Sequence, residues 1–351
     1  MGNCKNNKCK NPRLGKVGGQ AVMEGVMMNS EQGLAIAVRN TDGDIVVRQK
    51  ERKLLRDKCK FFKLPIIRGI VSFAETLVMS FSTLTESTEM LGLEMEPESK
   101  FEKWLDKKLG KSLMAAASLI GTVLGVGLAL VLFIWLPALL VGAVEKYLFP
   151  LGWAKSLVEG VIKILLFVSY IALVSLMKDI KRVFMYHGAE HKTIFCYEAG
   201  LELTVENVRR QKRFHPRCGT SFIFVIMIIS ILVGSVITWD TMWLRVVLKL
   251  ATLPLVVGIG YEYIRYAGKH ENVITRIFSA PGLWLQRITT REPDDSMIEV
   301  GIASVKASLV KEFPDYDVPT EAKVAAAKAA KAQNASDNEA ENNENNQTTE
   351  Q

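Results

Sequence analysis

Histidine and cysteine are both scarce in this chain of 351 residues, which contains four histidines and five cysteines. The cysteines are odd in number and scattered, so we expect no framework of disulfide bonds. Residues 1–16 are polar and basic and lack the apolar core of a secretory signal, so no such leader is expected there. The sequence also has no internal repeat of the kind that builds a solenoid.

Hydrophobic residues are abundant instead, at 49% of the chain, and they are concentrated in its middle while both ends are polar. Four segments approach the length of about 20 apolar residues that spans a bilayer. They are 112–143, which Pro137 is expected to kink or end, 157–177, 220–238 and 243–266. We therefore predict a mainly α-helical, multipass membrane bundle of about four transmembrane helices over residues 112–266, in contact with membrane lipids.

Basic residues indicate how this bundle is oriented. They are concentrated in residues 178–219, between the second and third segments, whereas the two connections on the opposite side are short and carry chiefly Lys146 and Lys155. By the positive-inside rule, the central segment and both termini are predicted to be cytoplasmic, with the protein in the cell membrane. No nucleic-acid-binding motif accompanies the net charge of +7, so nucleic acid is not an expected partner.

Residues 1–111 are predicted to form a small cytoplasmic α+β region. Residues 33–38 and 44–49 favour strands and flank Thr41-Asp42-Gly43, a pattern typical of a β-hairpin. Pro65 then opens an amphipathic helix that could lie on the membrane or pack on the hairpin. Before the hairpin, Glu24 stands alone in an apolar, glycine-flanked run, where its carboxylate either points at a functional site or pairs with a local backbone group or arginine.

Two further regions bear on organisation and assembly. Residues 267–319 are predicted to be a cytoplasmic C-terminal segment, and residues 320–351, rich in Ala and Lys and then in Asn and Glu, are predicted to be disordered. Gly121-x-x-x-Gly125 in the first span suits close helix contact, either within the bundle or between the subunits of a homo-oligomer.

The strongest functional pattern is His187-Gly188-Ala189-Glu190-His191, just after the second span. A helix places residues four apart on one face, so His187 and His191 could hold one metal ion with Glu190 beside it. This is the H-x-x-E-H arrangement of inverted zinc hydrolases. We expect the pair to lie on a cytoplasmic extension of the second span that ends near Gly200.

A second cluster, His215-Pro216-Arg217-Cys218, precedes the third span. A thiolate at Cys218 would be favoured by Arg217, by the N-terminus of the following helix and by a metal, so Cys218 could complete the site. His215 is the competing third ligand, and Cys218 could instead pack as a small apolar residue. At the inner end of the fourth span, Glu262 needs a partner, which is either the metal or, as we prefer, Arg265.

Several separated motifs occur in a recognisable order: GGQAVMEGVMM, YHGAEHKTI, HPRCGTSF, GIGYEYIRYAGKHE, SAPGLWLQRITTREPDD and IEVGIASV. Together they resemble the bacterial YqhQ-type family of unknown function, over roughly residues 15–310. The resemblance implies a multipass membrane protein, for which metal-dependent catalysis has been suggested without a settled substrate. It also implies that His187, Glu190, His191, His215 and Cys218 belong to family motifs, but it supplies no reaction.

Two functions of different classes follow. The first is a hydrolase that depends on zinc or another divalent transition metal, with His187, His191 and either Cys218 or His215 as ligands and Glu190 as general base. Its substrate would be a peptide bond near the membrane or a lipid-linked group. The second is a non-enzymatic scaffold or regulatory protein with a closed, structural metal site, whose basic loop (Arg209, Arg210, Lys212, Arg213 and Arg217) binds anionic lipid or a protein partner.

Overall fold

A four-stranded antiparallel sheet precedes the first membrane segment. The computed structural model describes residues 11–51, 60–92, 111–236, 242–267 and 272–330. The strands follow chain order as β1 (Val17–Val22), β2 (Gly25–Ser30), β3 (Leu34–Arg39) and β4 (Ile45–Lys50). The predicted hairpin is confirmed as β3 and β4, with Gly43 at a φ of 89° in the turn between them. Strands β1 and β2 were not predicted.

The two inner strands are apolar on both faces because both faces of the sheet are covered. Val26, Met28 and Ala37 pack on one side against two helices, α5 (Lys178–Glu198) and α10 (Asp295–Ser308). Met27 and Ile36 pack on the other side against the end of α1 (Ile67–Met90). Successive strand residues point to opposite faces, so a strand covered twice loses the alternation by which a strand is usually recognised.

The four predicted membrane segments are all helical. The first consists of α2 (Lys111–Leu130), a π-helical stretch (Val131–Trp135) and α3 (Leu136–Tyr147). The others are α4 (Lys155–Val174), α7 (Gly219–Val236) and α8 (Met242–Ala267). Pro137 does not end the first segment, because the wider π turn directly before it accommodates a residue that has no N–H and crowds the preceding turn.

Helix α1 is the fifth described helix that is long and apolar enough to cross a membrane. Its contacts keep it on one side. Gly69 lies against Gly258 of α8, while Ser80 near its other end donates a hydrogen bond to Gln20 of β1 at 2.6 Å. Strand β1 also packs on α5, which follows the crossings α2–α3 and α4. A third crossing by α1 would separate the sheet from α5, so four crossings agree with the packing.

Two predicted boundaries were wrong. The histidine helix α5 is not an extension of the second span, because residues 175–177 form a turn and Met177 is extended, with a ψ of 136°. Residues 321–330 of the supposedly disordered tail are helical, and Val324 packs beside the sheet. Alanine and lysine favour a helix once a partner surface is present. Residues 331–351 of the predicted disordered tail and three of the five cysteines lie outside the described residues.

Several charged groups of the helix bundle are paired. Glu159 and Lys163 of α4 form an ion pair at 3.1 Å, and Lys249 of α8 joins them. The preferred partner of Glu262 was wrong: Arg68 of α1, 194 residues away in sequence, makes a two-pronged contact with its carboxylate. Gly121 and Gly125 have no described atom within 4 Å of an added Cβ, so the small-residue pair makes no close helix contact within the described part of the chain.

Candidate metal centre

Helix α5 carries the predicted site on its buried face. It packs on β1 and β2 beside α10, and its residues from Gly188 to Tyr197 are almost all buried. His187, Glu190 and His191 share one side of it, and their side chains are 13%, 6% and about 1% exposed. The H-x-x-E-H spacing therefore places three chemically active groups together in an interior that excludes most water.

Both imidazoles are held by backbone carbonyls. His187 Nδ1 lies 2.8 Å from the carbonyl oxygen of Thr289, and His191 Nδ1 contacts the carbonyl oxygen of Arg213. A carbonyl oxygen can only accept, so each Nδ1 carries a proton, and in a neutral imidazole the lone pair is then on Nε2. Metal-binding histidines are usually oriented in this way, by donation from the other ring nitrogen. The pair is thus set in the tautomer that a metal requires.

Cys218 completes the cluster. It directly precedes α7, and its Sγ lies 3.3 Å from His187 Nε2. Tetrahedral zinc with ordinary bond lengths would place a sulfur and a nitrogen ligand ~3.5 Å apart, so the observed separation fits. One donor atom from each of His187, His191 and Cys218 lies within 4.8 Å of the others. The Thr220 hydroxyl donates a hydrogen bond to the same sulfur at 3.3 Å.

His215, the alternative third ligand, lies beside His191 but outside the cluster of His187, His191 and Cys218. Its ring centre is 5.5 Å from that of His191, and its nitrogens are engaged elsewhere. Nδ1 accepts the backbone N–H of Arg217 at 3.3 Å, while Nε2 faces a carboxylate oxygen of Glu198 at 3.7 Å. Burial lowers the pKa of His215 although Glu198 opposes this, so the neutral imidazole is favoured. The structure brings Cys218 to the histidine pair and does not bring His215 there.

Glu190 is the buried acid beside this cluster. Its carboxylate lies 3.9 Å from His187 Nε2 and accepts a hydrogen bond from the backbone N–H of Gly19 in β1. Burial raises the pKa of Glu190 to about 7, although His187 and the Gly19 N–H both act to lower it. A group with a pKa near neutrality is suited to exchange protons with a substrate or water.

Glycine at two positions lets neighbouring backbone approach the site. A Cβ at Gly188 would lie 2.0 Å from the carbonyl oxygen of Arg291, and one at Gly19 would lie 2.7 Å from Glu190 Cγ. The extended chain after α9 (Val273–Thr289) therefore crosses α5 at Gly188, which also brings the Thr289 carbonyl to His187. Gly19, Thr289 and Arg213 act through backbone atoms, so no side-chain pattern identified them in the sequence.

Other predicted functional groups lie apart from the cluster. Glu24 makes a two-pronged contact with Arg182 of α5, so it pairs with an arginine and does not point at the site. The basic loop is largely neutralised within the chain, since Arg209, Arg210 and Arg217 contact Asp295, Glu206 and Glu198 respectively.

Comparisons with known proteins give the family of this chain. A family model described as "Protein of unknown function (DUF1385)" matches residues 64–311. The chain belongs to this family. It is also 38% identical over 288 residues to the uncharacterized protein YqhQ of Bacillus subtilis (strain 168), an alignment that covers 82% of this chain and 90% of that relative. No solved structure matches it.

Proposed function

We propose that this chain is a membrane-embedded hydrolase that depends on a divalent transition metal, with zinc as the preferred ion. One observation carries the proposal: two largely buried imidazoles, each fixed by a backbone carbonyl at Nδ1, each bring one ring nitrogen to within 4.8 Å of the Cys218 sulfur. Two histidines and one cysteine are a ligand set typical of zinc, and three protein ligands leave a fourth position for water or substrate.

Glu190 is the proposed general base and acid. Bound zinc would supply Lewis acidity and would lower the pKa of a coordinated water to about 7. The Glu190 carboxyl, with its own pKa near 7 and its oxygen 3.9 Å from His187 Nε2, could accept a proton at the site and return it to the leaving group. The Gly19 N–H holds this carboxyl in place.

We infer that the site works at the cytoplasmic face of the cell membrane. The sheet, α5 and α10 pack together as one domain attached to the helix bundle. Cys218 directly precedes the membrane helix α7, so the cluster lies where this attached domain meets the bundle. The side follows from the positive-inside rule, because residues 178–219 carry far more basic residues than the connections at 148–154 and 237–241. In a substrate bound at this site, the bond to be hydrolysed would lie close to the membrane surface.

The proposal is tested by elemental analysis of the purified full-length protein. We expect about one zinc per chain, and we expect a His187→Ala/His191→Ala double variant to lose it. His215→Ala is the matched control, because it removes a nearby imidazole that lies outside the ligand set. Glu190→Gln should keep the zinc and lose the cellular function that a deletion reveals. If the purified protein contains no bound zinc or other divalent transition metal, the proposal is refuted.

A structural metal site in a scaffold protein is the second candidate. The cluster joins three separate elements, namely α5, the start of α7 and, through Thr289, the end of α9. A metal there would fasten the domain to the bundle without any chemistry. This candidate predicts that Glu190→Gln complements a deletion fully, whereas metal removal lowers stability. The hydrolase proposal predicts that Glu190→Gln fails to complement.

A further inference from the structure

Helix α9 runs across the ends of three membrane helices, on the side of the attached domain. The asparagine that caps its start donates a hydrogen bond to the Tyr266 hydroxyl, at the end of α8, at 3.2 Å. In its middle, a Cβ at Gly282 would lie 2.5 Å from Ser221 Cα, in the first turn of α7. Just after it, the Arg291 guanidinium donates to the carbonyl oxygen of Ser175, which follows α4, at 3.3 Å. Each contact lies about 3 Å or less along the axis from the end of a span, so α9 lies flat at the level where these spans leave the membrane.

One side of α9 is exposed along the helix and carries large apolar groups. Val273, Ile277 and Trp284 are between 52% and 71% exposed, and their helical spacing places them in one stripe. Arg276 and Arg287 are also exposed, and the same spacing places both along one flank of this stripe. A helix that faces water presents polar groups on its outer side. An apolar stripe with a tryptophan and basic neighbours is typical of a helix that lies in a membrane surface.

The two arginines of α9 differ from those of the basic loop. Arg209, Arg210 and Arg217 contact acidic side chains of the chain itself. Arg276 and Arg287 form no ion pair with an acidic side chain in the part of the chain that the structure describes. A guanidinium binds phosphate through two parallel N–H groups. Beside an apolar stripe at the membrane surface, both arginines are therefore placed to contact lipid phosphate.

We propose that α9 lies in the membrane surface and binds anionic phospholipid. Its apolar stripe contacts the upper parts of the acyl chains, and Arg276 and Arg287 contact the headgroups of the leaflet nearest the attached domain. Continuity with the bundle favours lipid over a second copy of the chain as the cover of this stripe, because α9 starts beside the end of α8 and follows the ends of α7 and α4. This contact does not require the proposed hydrolase chemistry, and it moves the expected lipid site from the basic loop to α9.

The opposite side of α9 carries two anchors of the candidate metal centre. Gln286 is fully buried and clamps the backbone of His215, since it accepts the N–H at 2.7 Å and donates to the carbonyl at 2.8 Å. His215 begins the turn that leads to Cys218, and the Thr289 carbonyl accepts from His187. A helix with its side chains is about 10–12 Å across. Membrane binding by α9 therefore holds the candidate centre about one helix diameter from the acyl chains.

The depth of α9 is measured with the full-length protein in nanodiscs and a fluorescent amino acid in place of Ile277. Phosphatidylcholine with a nitroxide near the start or near the end of its acyl chain quenches fluorophores close to the headgroups or close to the bilayer centre. We expect position 277 to be quenched more strongly by the label near the start. The same fluorophore in place of Leu253, exposed at the middle of α8, should show the reverse preference. In place of Thr41, in the exposed β3–β4 turn, it should be quenched by neither lipid.

Headgroup preference is measured with the fluorophore at position 277 and a trace of nitroxide-labelled phosphatidylglycerol or phosphatidylcholine. A basic residue at a membrane surface contributes about fivefold to the attraction of anionic lipid. Phosphatidylglycerol should therefore be enriched around α9 by roughly 5- to 25-fold. Arg276→Gln/Arg287→Gln should abolish this enrichment, whereas the matched variant Arg209→Gln/Arg210→Gln should retain it, because those arginines are paired within the chain.

Three results would overturn the inference. If position 277 is quenched no more than the Thr41 control, α9 does not lie in the membrane surface. If it is protected from both lipids while chemical cross-linking yields dimers, a second copy covers the stripe instead. If phosphatidylglycerol is not enriched, or both double variants lose the enrichment equally, these two arginines do not bind anionic lipid. The zinc content of each variant reports separately on the proposed function.

Discussion

Replacing Gly188 with alanine tests whether the crossing at α5 assembles the metal centre. In an ordinary helix this change stabilises by up to about 1 kcal/mol, because alanine has the higher helix propensity. Here the added Cβ would lie 2.0 Å from the carbonyl oxygen of Arg291 and 3.3 Å from Pro293 Cδ. Normal contact requires at least ~3.4 Å, so the crossing segment must move by more than 1 Å or the helix must shift.

The displacement has a calculable cost. The Arg291 N–H donates to the Phe184 carbonyl at 2.8 Å, and the Thr289 carbonyl accepts from His187. Losing one or two such bonds costs about 1 kcal/mol each, and overpacking costs about 1–3 kcal/mol. We expect Gly188→Ala to destabilise by roughly 2–4 kcal/mol and to reduce zinc content, because His187 loses the carbonyl that sets its tautomer.

The assay is thermal unfolding in detergent, followed by tryptophan fluorescence, together with elemental analysis. The melting temperature should fall by roughly 5–10 °C. Gly121→Ala is the matched control, since it is also helical and a Cβ there meets nothing within 4 Å. If Gly188→Ala melts at or above the wild-type temperature and retains its zinc, then the crossing does not constrain the centre and the reasoning is wrong.

The remaining predictions concern single groups. The raised pKa of Glu190, about 7 against an ordinary 4.5, means that the folded, metal-free protein retains a proton that the unfolded chain releases, so stability falls as pH rises through that window. Glu190→Gln should therefore stabilise the metal-free protein by roughly 3 kcal/mol more at pH 8 than at pH 4, as thermal unfolding at both pH values would show. If the variant changes the stability equally at the two pH values, the pKa of Glu190 is not raised by burial. Cys218→Ser should weaken zinc binding by more than about 100-fold in competition with a chelator, whereas His215→Ala should leave zinc stoichiometry unchanged. Arg68→Met should destabilise by about 2 kcal/mol, and adding Glu262→Leu should restore most of the loss, as a double-mutant cycle in detergent would show; additive losses would mean that the pair is not coupled.

Patterns with a fixed local period could be predicted from the sequence. Long apolar runs predicted four of the five helices that are long and apolar enough to cross a membrane, an Asp-Gly turn predicted one hairpin, and the four-residue spacing of His187 and His191 placed them on one helical face. Thr204 caps the short helix α6 (Val205–Arg209) through a similarly local contact, since its side chain accepts the Asn207 N–H. Each of these signals depends on neighbours within a few residues along the chain.

Features that depend on distant backbone could not be predicted. The partner of Glu262 is 194 residues away, and nothing in the local sequence of α8 distinguishes Arg68 from the nearby Arg265. The carbonyls of Thr289 and Arg213 have no residue-type signature at all. The choice between His215 and Cys218 likewise required geometry, because both precede α7 within a few residues.

The attached domain is assembled from three stretches of chain that membrane crossings keep apart: the sheet before the first, α5 between the second and third, and α10 after the fourth. During synthesis, the sheet and α5 therefore wait with one apolar side uncovered until the final crossing is inserted and α10 emerges. The histidine pair gains its Thr289 anchor at about the same stage, shortly before α10. Chains that end before α9 is complete would lack both α10, which covers this apolar side, and the Thr289 carbonyl that orients His187. Binding of the proposed metal would thereby depend on complete insertion, and an unfinished molecule would expose apolar surface that quality-control proteases recognise.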